Sequence, residues 1–380
     1  VKRKIAVITT SRADYSHLYW PLRELSAHPA IHLQLIALGP HLSPEFGLTA
    51  AEIETDGFPL AAKIECLLSS DTDIGMAKTI GLATLSLADS LGHLRPDLLL
   101  LIADRYEMLA PAAVALALRI PIAHIEGGEI SQGAIDDAVR NALTKLSHIH
   151  FTSTSAARAR VIALGEEPWR VHHVGAPSLD HLRRSPLLSR PELETQLSLN
   201  LQTPPILIAH HPTTIARDTT REAAQLFAAL ETLSQPLIFL YPNADAGSRH
   251  LIHQTRTFLQ THPNAQMFIN LNPITYWSLL RHAALLLGNS SSGIMEAASF
   301  ALPAIDIGLR QRGRERGRNV LTAEPTAAAI LQQIQAALNP EFRRSLHGMP
   351  NPYGDGHASE KIAQLLATLP LNEELLIKRA

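Results

Sequence analysis

Cysteine is almost absent: the 380 residues contain one, Cys66. A lone thiol rules out an intrachain disulfide framework and a multi-cysteine zinc site, and Cys66 reads as a small apolar filler. Long hydrophobic runs are missing as well. No apolar stretch reaches the about 18 residues that mark a bilayer span. The run after the basic start Val1-Lys2-Arg3-Lys4-Ile5 stops at Thr9-Thr10, too short for a signal-peptide core. The expected address is therefore cytoplasmic, with no membrane partner. Net charge is small: 33 Lys and Arg against 35 Asp and Glu leave −2. Such a balance offers no field for nucleic acid or an anionic surface, so any bound anion needs a local grip. Three motifs are also lacking: the Gly-x-Gly-x-x-Gly dinucleotide loop, the Walker A loop and the Gly-x-Ser-x-Gly elbow.

What is present is a regular alternation of short apolar runs and longer amphipathic stretches. The runs expected as strands are Ile5–Thr10, His32–Leu38, Leu98–Ala103, Pro121–Ile125, His150–Thr154 and Val171–Val174. They continue as Pro205–His210, Leu237–Tyr241, Gln266–Asn270, Leu285–Gly288 and Ala304–Ile307. Most are apolar throughout, as parallel strands covered by helices on both faces are. Helical stretches such as Met108–Leu118, Ala138–Leu146, Arg221–Leu233 and Thr326–Leu338 separate them. The pattern predicts an α/β protein of two Rossmann-like domains with a cleft between them. A polar, proline-containing stretch over 180–204 is the expected connection. It gives a first domain of residues 1–180 and a second of 181–380. Ligands in such folds sit beyond the carboxyl ends of the strands.

The polar residues worth noting follow strands. Arg12, in Ser11-Arg12-Ala13-Asp14, can pair its fork with helix amides to hold a phosphate; otherwise Ser11 or Asp14 is a cap and Arg12 is solvated. A five-residue apolar run delivers Asp104-Arg105, read as a site or as a surface ion pair. His124, Glu126, Glu129, Asp136 and Asp137 then crowd one short segment containing glycines. Crowded carboxylates raise one another's pKa, which suits acid–base work. Alternatively, Asp136 or Asp137 caps a helix and His124 is packed. In His210-His211 adjacent side chains on an extended chain face opposite ways, and no matching ligand spacing lies nearby, so no metal is expected. Asn243 offers an amide to a base or ribose. Gly288-Asn289-Ser290-Ser291-Ser292-Gly293 reads as a phosphate turn, with Glu296 one turn inside a helix facing ribose hydroxyls. Five arginines over 310–318 add a local anion grip, several of them paired or solvated. A serine turn and a ribose-type glutamate, without a dinucleotide loop, point to a nucleotide-sugar.

These residues resemble, in order and along nearly the whole chain, the hydrolysing UDP-N-acetylglucosamine 2-epimerases. The resemblance rests on Ser11–Tyr15, Asp104-Arg105, His124–Glu129, Ile135–Asp137, Arg140 and Thr144–His148. It continues in His211–Thr214, Asn243–Ser248, Gly288–Ser291, Arg310-Gln311, Gly313–Glu315 and Tyr353–Gly356. It implies a GT-B type fold with a helix over Ser359–Leu369 returning to the first domain. It implies a UDP-sugar substrate and UDP product, with no cofactor and no metal. Asp104, Glu126 and Asp136 match the family's catalytic acids, and His211 its functional histidine. Arg12, Ala13 and Arg105 are expected to reach UDP from the first domain. His211, Asn243, Asn272, Ser290, Ser291, Glu296 and Arg310 are expected to do so from the second, and Arg140 to bind substrate. The implied reaction eliminates UDP to a glycal and hydrates it to N-acetylmannosamine. A rival shares the mechanism but takes UDP-2,4-diacetamido-2,4,6-trideoxyglucose; another is a GT-B glycosyltransferase. A homodimer or homotetramer is expected. Asn141 and His253 depart from the family's histidine and arginine.

Overall fold

The computed structural model describes residues 2–218 and 220–379 as two compact units. The first comprises Val1–Glu129, Ile135–Arg183 and Tyr353–Ala380; the second comprises Ile130–Ala134 and Arg184–Pro352. The segment 353–380, assigned by sequence to the second domain's range, thus packs with the first unit, and five residues of the acid-rich segment belong to the second.

The first unit is built on seven strands: β1 (Arg3–Thr9), β2 (Ile31–Leu38), β3 (Leu60–Ile64), β4 (Leu98–Ile102), β5 (Ile122–Ile125), β6 (Ile149–Thr152) and β7 (Val171–His173). They pair in the order β3-β2-β1-β4-β5-β6-β7, all parallel. The apolar runs explain the centre. Every residue of Leu98–Ile102 is buried, each side chain contributing roughly 1.5–3 kcal/mol on leaving water. The helix Arg12–Ala27 buries Tyr15, Leu18, Leu22 and Leu25 at helical spacing. The helix Ala358–Thr368 joins the same core through Ile362 and Leu366. The Asp180 carboxylate accepts from the Ala358 and Ser359 amides at 3.0 and 2.9 Å, capping this helix from a distant segment.

The second unit has six parallel strands: β8 (Ile206–Ala209), β9 (Leu237–Leu240), β10 (Ala265–Phe268), β11 (Leu285–Gly288), β12 (Ala304–Ile307) and β13 (Val320–Ala323). Their order is β10-β9-β8-β11-β12-β13. Its core lies on both sheet faces, one lined by Ile208, Phe239 and Leu287, the other by Leu207, Ile238 and Leu286. Two strands, β3 and β13, escape the sequence reading. Each pairs on one side only and leaves most of its residues partly exposed, so neither shows a continuous apolar run.

In both sheets the winding reverses once, at β1/β4 and at β8/β11. A reversal of this kind opens a crevice at the strand carboxyl ends. Thr10–Arg12 and Asp104-Arg105 lie at the first reversal, and His210-His211 and Asn289–Ser291 at the second.

Candidate functional site

In the first unit, β1 enters the helix Arg12–Ala27 through a reciprocal cap. Ser11 is the N-cap, its Oγ accepting from the Asp14 amide at 3.4 Å. The Asp14 carboxylate accepts from the Thr10 amide at 3.1 Å and from the Thr10 hydroxyl. Burial pushes the Asp14 carboxyl up, opposed by the Thr10 bonds and the Arg105 charge. The cap leaves Arg12 half-buried and Ala13 exposed in the first turn.

At the end of β4, Ala103 has φ +57, a left-handed backbone that a residue with a Cβ adopts only when its surroundings hold it. They do so here. The Ala103 amide donates to Ile125 O at 2.9 Å, and the His124 ring contacts Ala103 O through Nε2 at 2.7 Å. A carbonyl only accepts, so Nε2 carries the proton. Burial drives His124 down to about 4, leaving it neutral with Nδ1 buried and unpartnered. Asp104, next in the chain, takes the Arg140 guanidinium in a close ion pair. Arg140, 1% exposed, also donates to Glu129 O at 2.9 Å and lies 3.6 Å from Asp137. Arg105 is turned onto the fully buried Glu107 at 3.0 Å.

The end of β5 repeats the strain. Glu126 has φ +67, its amide bonded to Phe151 O at 2.8 Å, and His17 Nδ1 lies 2.8 Å from its Oε1. Gly128, at φ +80, passes so close to the next helix that a Cβ would stand 2.3 Å from Ala157 O. Only glycine fits there. The Tyr353 hydroxyl donates to Glu129 at 3.2 Å. Asp136 and Asp137 open the helix Asp136–Leu146, whose N-cap is Ile135 with no side-chain bond. Neither acid is the N-cap weighed above. Asp136 is buried on the first turn and Asp137 half-exposed.

In the second unit Asn289 organises the turn. Its Oδ1 accepts from the His211 amide at 2.8 Å and its Nδ2 donates to His211 O at 2.9 Å. Its own carbonyl receives Arg310 at 3.2 Å and Gln311 at 3.0 Å. His211 Nδ1 accepts from the Asn243 amide at 3.2 Å, which leaves the proton of the neutral ring on Nε2. His210 is buried beside Arg310, and burial first, then that charge, lowers it to about 4. Gly288 has φ +145, and a Cβ would sit 2.1 Å from Ala209 O. The turn Ser290-Ser291 is partly exposed, with Ser290 Oγ accepting from the Ser292 amide at 3.4 Å.

One expected feature differs. The helix after the serine turn is only Ser292–Met295, so Glu296 is its buried C-cap residue and not an acid one turn inside. The helix gives way to a tighter turn, Ala297–Phe300, closed by Ala301 at φ +50. Asn272 is exposed and caps the helix Pro273–His282, accepting from the Thr275 amide at 2.8 Å. Of the arginine run, Arg314 holds Gln311 at 3.0 Å and Arg316 holds Asp306 at 2.9 Å, while Arg312 and Arg318 are exposed.

Thus Asp104 meets Arg140, and His211, Asn243 and Arg310 converge through Asn289. The sequence pattern did not mark His17, Asn289 or Gln311 as site residues, and it left His124 open between the acid–base cluster and packing. Helical spacing was a signal for His17, which shares a face with Ala13 and Asp14.

A family model described as UDP-N-acetylglucosamine 2-epimerase matches residues 23–367. The chain is 38% identical over 379 residues to the Legionella pneumophila UDP-N,N'-diacetylbacillosamine 2-epimerase (hydrolyzing), covering 99% of this chain and 98% of that one. It is 32% identical over 339 residues to a Neisseria meningitidis UDP-N-acetylglucosamine 2-epimerase, covering 88% and 87%. Among solved structures, the Neisseria meningitidis UDP-GlcNAc 2-epimerase bound to UDP-GlcNAc superposes with a TM-score of 0.78 over 96% of this chain and 99% of that one, at 18% identity. That likeness is one of fold.

Proposed function

This chain belongs to the UDP-N-acetylglucosamine 2-epimerase family, and from that membership we propose that it is a hydrolysing 2-epimerase of UDP-2,4-diacetamido-2,4,6-trideoxyglucose. That sugar nucleotide is the UDP-N,N'-diacetylbacillosamine for which its Legionella relative is named. The observation that carries the choice of sugar is the likeness to that relative along both chains, higher than the likeness to the Neisseria UDP-N-acetylglucosamine enzyme. UDP-N-acetylglucosamine, expected from the sequence, is the second reading and rests on the Neisseria relative.

The reaction assigns distinct work to the residues. A carboxylate removes the proton at sugar C2, the C1–O bond breaks, and UDP departs with the electron pair, leaving a glycal. Water then adds its oxygen to C1 while C2 regains a proton on the opposite face, giving the free 2-epimer. Because C2–H is not acidic, departure of UDP has to be assisted by cations and donors as the proton leaves. Asp104, Glu126 and Asp136 carry the proton transfers in this reading. Ser290, Ser291 and Arg310 hold the diphosphate, with His211, Asn243 and Glu296 on the nucleoside side of the charge. Arg12, Ala13 and Arg105 also contact UDP, and Arg140 orients Asp104. Asn272, exposed at the N-cap of its helix, contacts UDP as well in this reading.

Incubating the protein with each UDP-sugar and following products by proton NMR tests the reading. We expect free 2,4-diacetamido-2,4,6-trideoxymannose, with kcat/KM at least about tenfold above that for N-acetylmannosamine from UDP-N-acetylglucosamine. A preference for UDP-N-acetylglucosamine would replace the sugar. A product that stays in glycosidic linkage to an acceptor would replace the reaction.

A further inference from the structure

We propose that His17 is a positioning residue for Glu126, fixing both the direction of its carboxylate and its readiness to accept a proton. The inference rests on the reading of Glu126 as a proton-transfer group. Its own basis is the contact of 2.8 Å between His17 Nδ1 and Glu126 Oε1, both in the first unit.

Glu126 is held from two sides. Its left-handed backbone is pinned to β6 through Phe151 O, and its carboxylate, 4% exposed, is met by the His17 ring, 17% exposed. A donor at Nδ1 occupies Oε1 and directs the remaining lone pairs of Oε2 elsewhere. It also favours the ionised carboxylate, because a hydrogen bond to the charged form stabilises that form. A carboxylate this deeply buried would otherwise favour its neutral form. His17 therefore keeps Glu126 competent as a base at neutral pH.

Other charged and titratable groups pack around His17 and Glu126. Asp14 stands one turn earlier on the same helix, and Arg105 acts on Asp14 from the loop after β4. His181, from the helix Asp180–Arg184, contacts Ser16 O through Nε2 at 3.1 Å and feels the His17 charge. His124 on β5 feels Glu126. Burial holds both His181 and His124 near 4, so neither titrates around neutrality. The helix itself is anchored by the Thr10–Asp14 cap and by Tyr15, whose hydroxyl donates to Asp56 at 2.5 Å. The ring thus sits on a rigid support.

The test measures kcat and KM against pH for wild type, His17→Leu, His17→Asn and Glu126→Gln, with thermal melts for each. Asn places an amide donor close to the position of Nδ1. We expect His17→Leu to lower kcat at pH 7 by about tenfold, leave KM within about twofold, and move the acidic limb of the rate profile to higher pH. His17→Asn should recover most of the neutral-pH kcat. Glu126→Gln should lose turnover, with the glycal or unreacted substrate accumulating. Unchanged rate and profile in His17→Leu, beside an inactive Glu126→Gln, would overturn the role of His17 alone. Equal losses in His17→Leu and His17→Asn with an unshifted profile would overturn it too, as mere packing. Near-normal turnover in Glu126→Gln would overturn the assignment of Glu126, and that of His17 with it.

Discussion

The two units share a winding and differ in what they place at its reversal. In the first, β4 and β5 end in left-handed residues, Ala103 and Glu126, beside buried acids and neutral histidines. In the second, β8 runs into His210-His211 and β11 ends in Gly288, followed by Asn289 and serines, with Arg310 and Gln311 drawn onto the Asn289 carbonyl. Strained backbone and desolvated carboxylates suit a group that must exchange protons, since burial brings its two protonation states closer in energy. Small residues and exposed hydroxyls suit a group that receives an anion without changing its own charge. The same sheet topology therefore supports two chemistries, and the loop residues decide which.

The largest effect that tests this contrast is on turnover. Replacing Asp104 or Asp136 by Asn, or Glu126 by Gln, should lower kcat by about a hundredfold or more while UDP still binds. The three should differ, because elimination and hydration need opposite protonation states, and at least one variant should release the glycal, visible as a vinyl proton. Near-normal turnover in all three would make these acids caps and ion-pair partners. In the second unit the same logic predicts a loss of binding instead. Arg310→Ala should weaken UDP by about 1.5–3 kcal/mol, the worth of a charge-assisted bond. Calorimetry showing unchanged UDP affinity would remove Arg310 from the anion grip and blur the contrast.

How much of this was legible in the sequence depends on how local each signal is. Central strands such as Leu98–Ile102 announce themselves because both faces are buried and every residue is apolar. Edge strands β3 and β13 do not, because half-solvated residues such as Lys63 and Thr322 interrupt the pattern. The acids and the serine turn were visible from their positions after strands. Asn289 was visible only as part of a match, since its importance lies in bonds to His211, 78 residues away. Glu296 was read from helix periodicity, but the helix stops after Met295, and no sequence signal marks that stop. His17 required knowing that a helix face meets a strand end. Pairings of that kind arise from packing.

The smallest predicted effect concerns acid stability, where the two units should part. In the first, burial holds His41 near 3 and His124, His148 and His181 near 4. Unfolded histidine titrates near 6.5, so below that pH the unfolded state binds more protons than the folded one. The stabilisation is complete above about 6.5 and is lost as pH falls towards 4. Asp14, lifted by burial, opposes this trend with one group against four. In the second unit His210 follows the same rule, but Asp306 runs the other way. Burial raises it to about 6 against the pull of Arg316, so its folded form holds a proton that the unfolded form has released. Its contribution is full below about 4 and is lost as pH rises through 6. Glu222, also raised by burial, adds to it. Acidification from pH 7 to 5 should therefore reduce hydrogen-exchange protection in β1, β4, β5 and β6 more than in β8, β11 and β12, once intrinsic exchange rates are corrected. Asp306→Asn removes the opposing group and should make the second unit more acid-sensitive by on the order of 1 kcal/mol. Equal loss of protection in both sheets, or an Asp306→Asn variant with an unchanged pH slope, would show that these buried groups do not govern stability and that the contrast is confined to the loops.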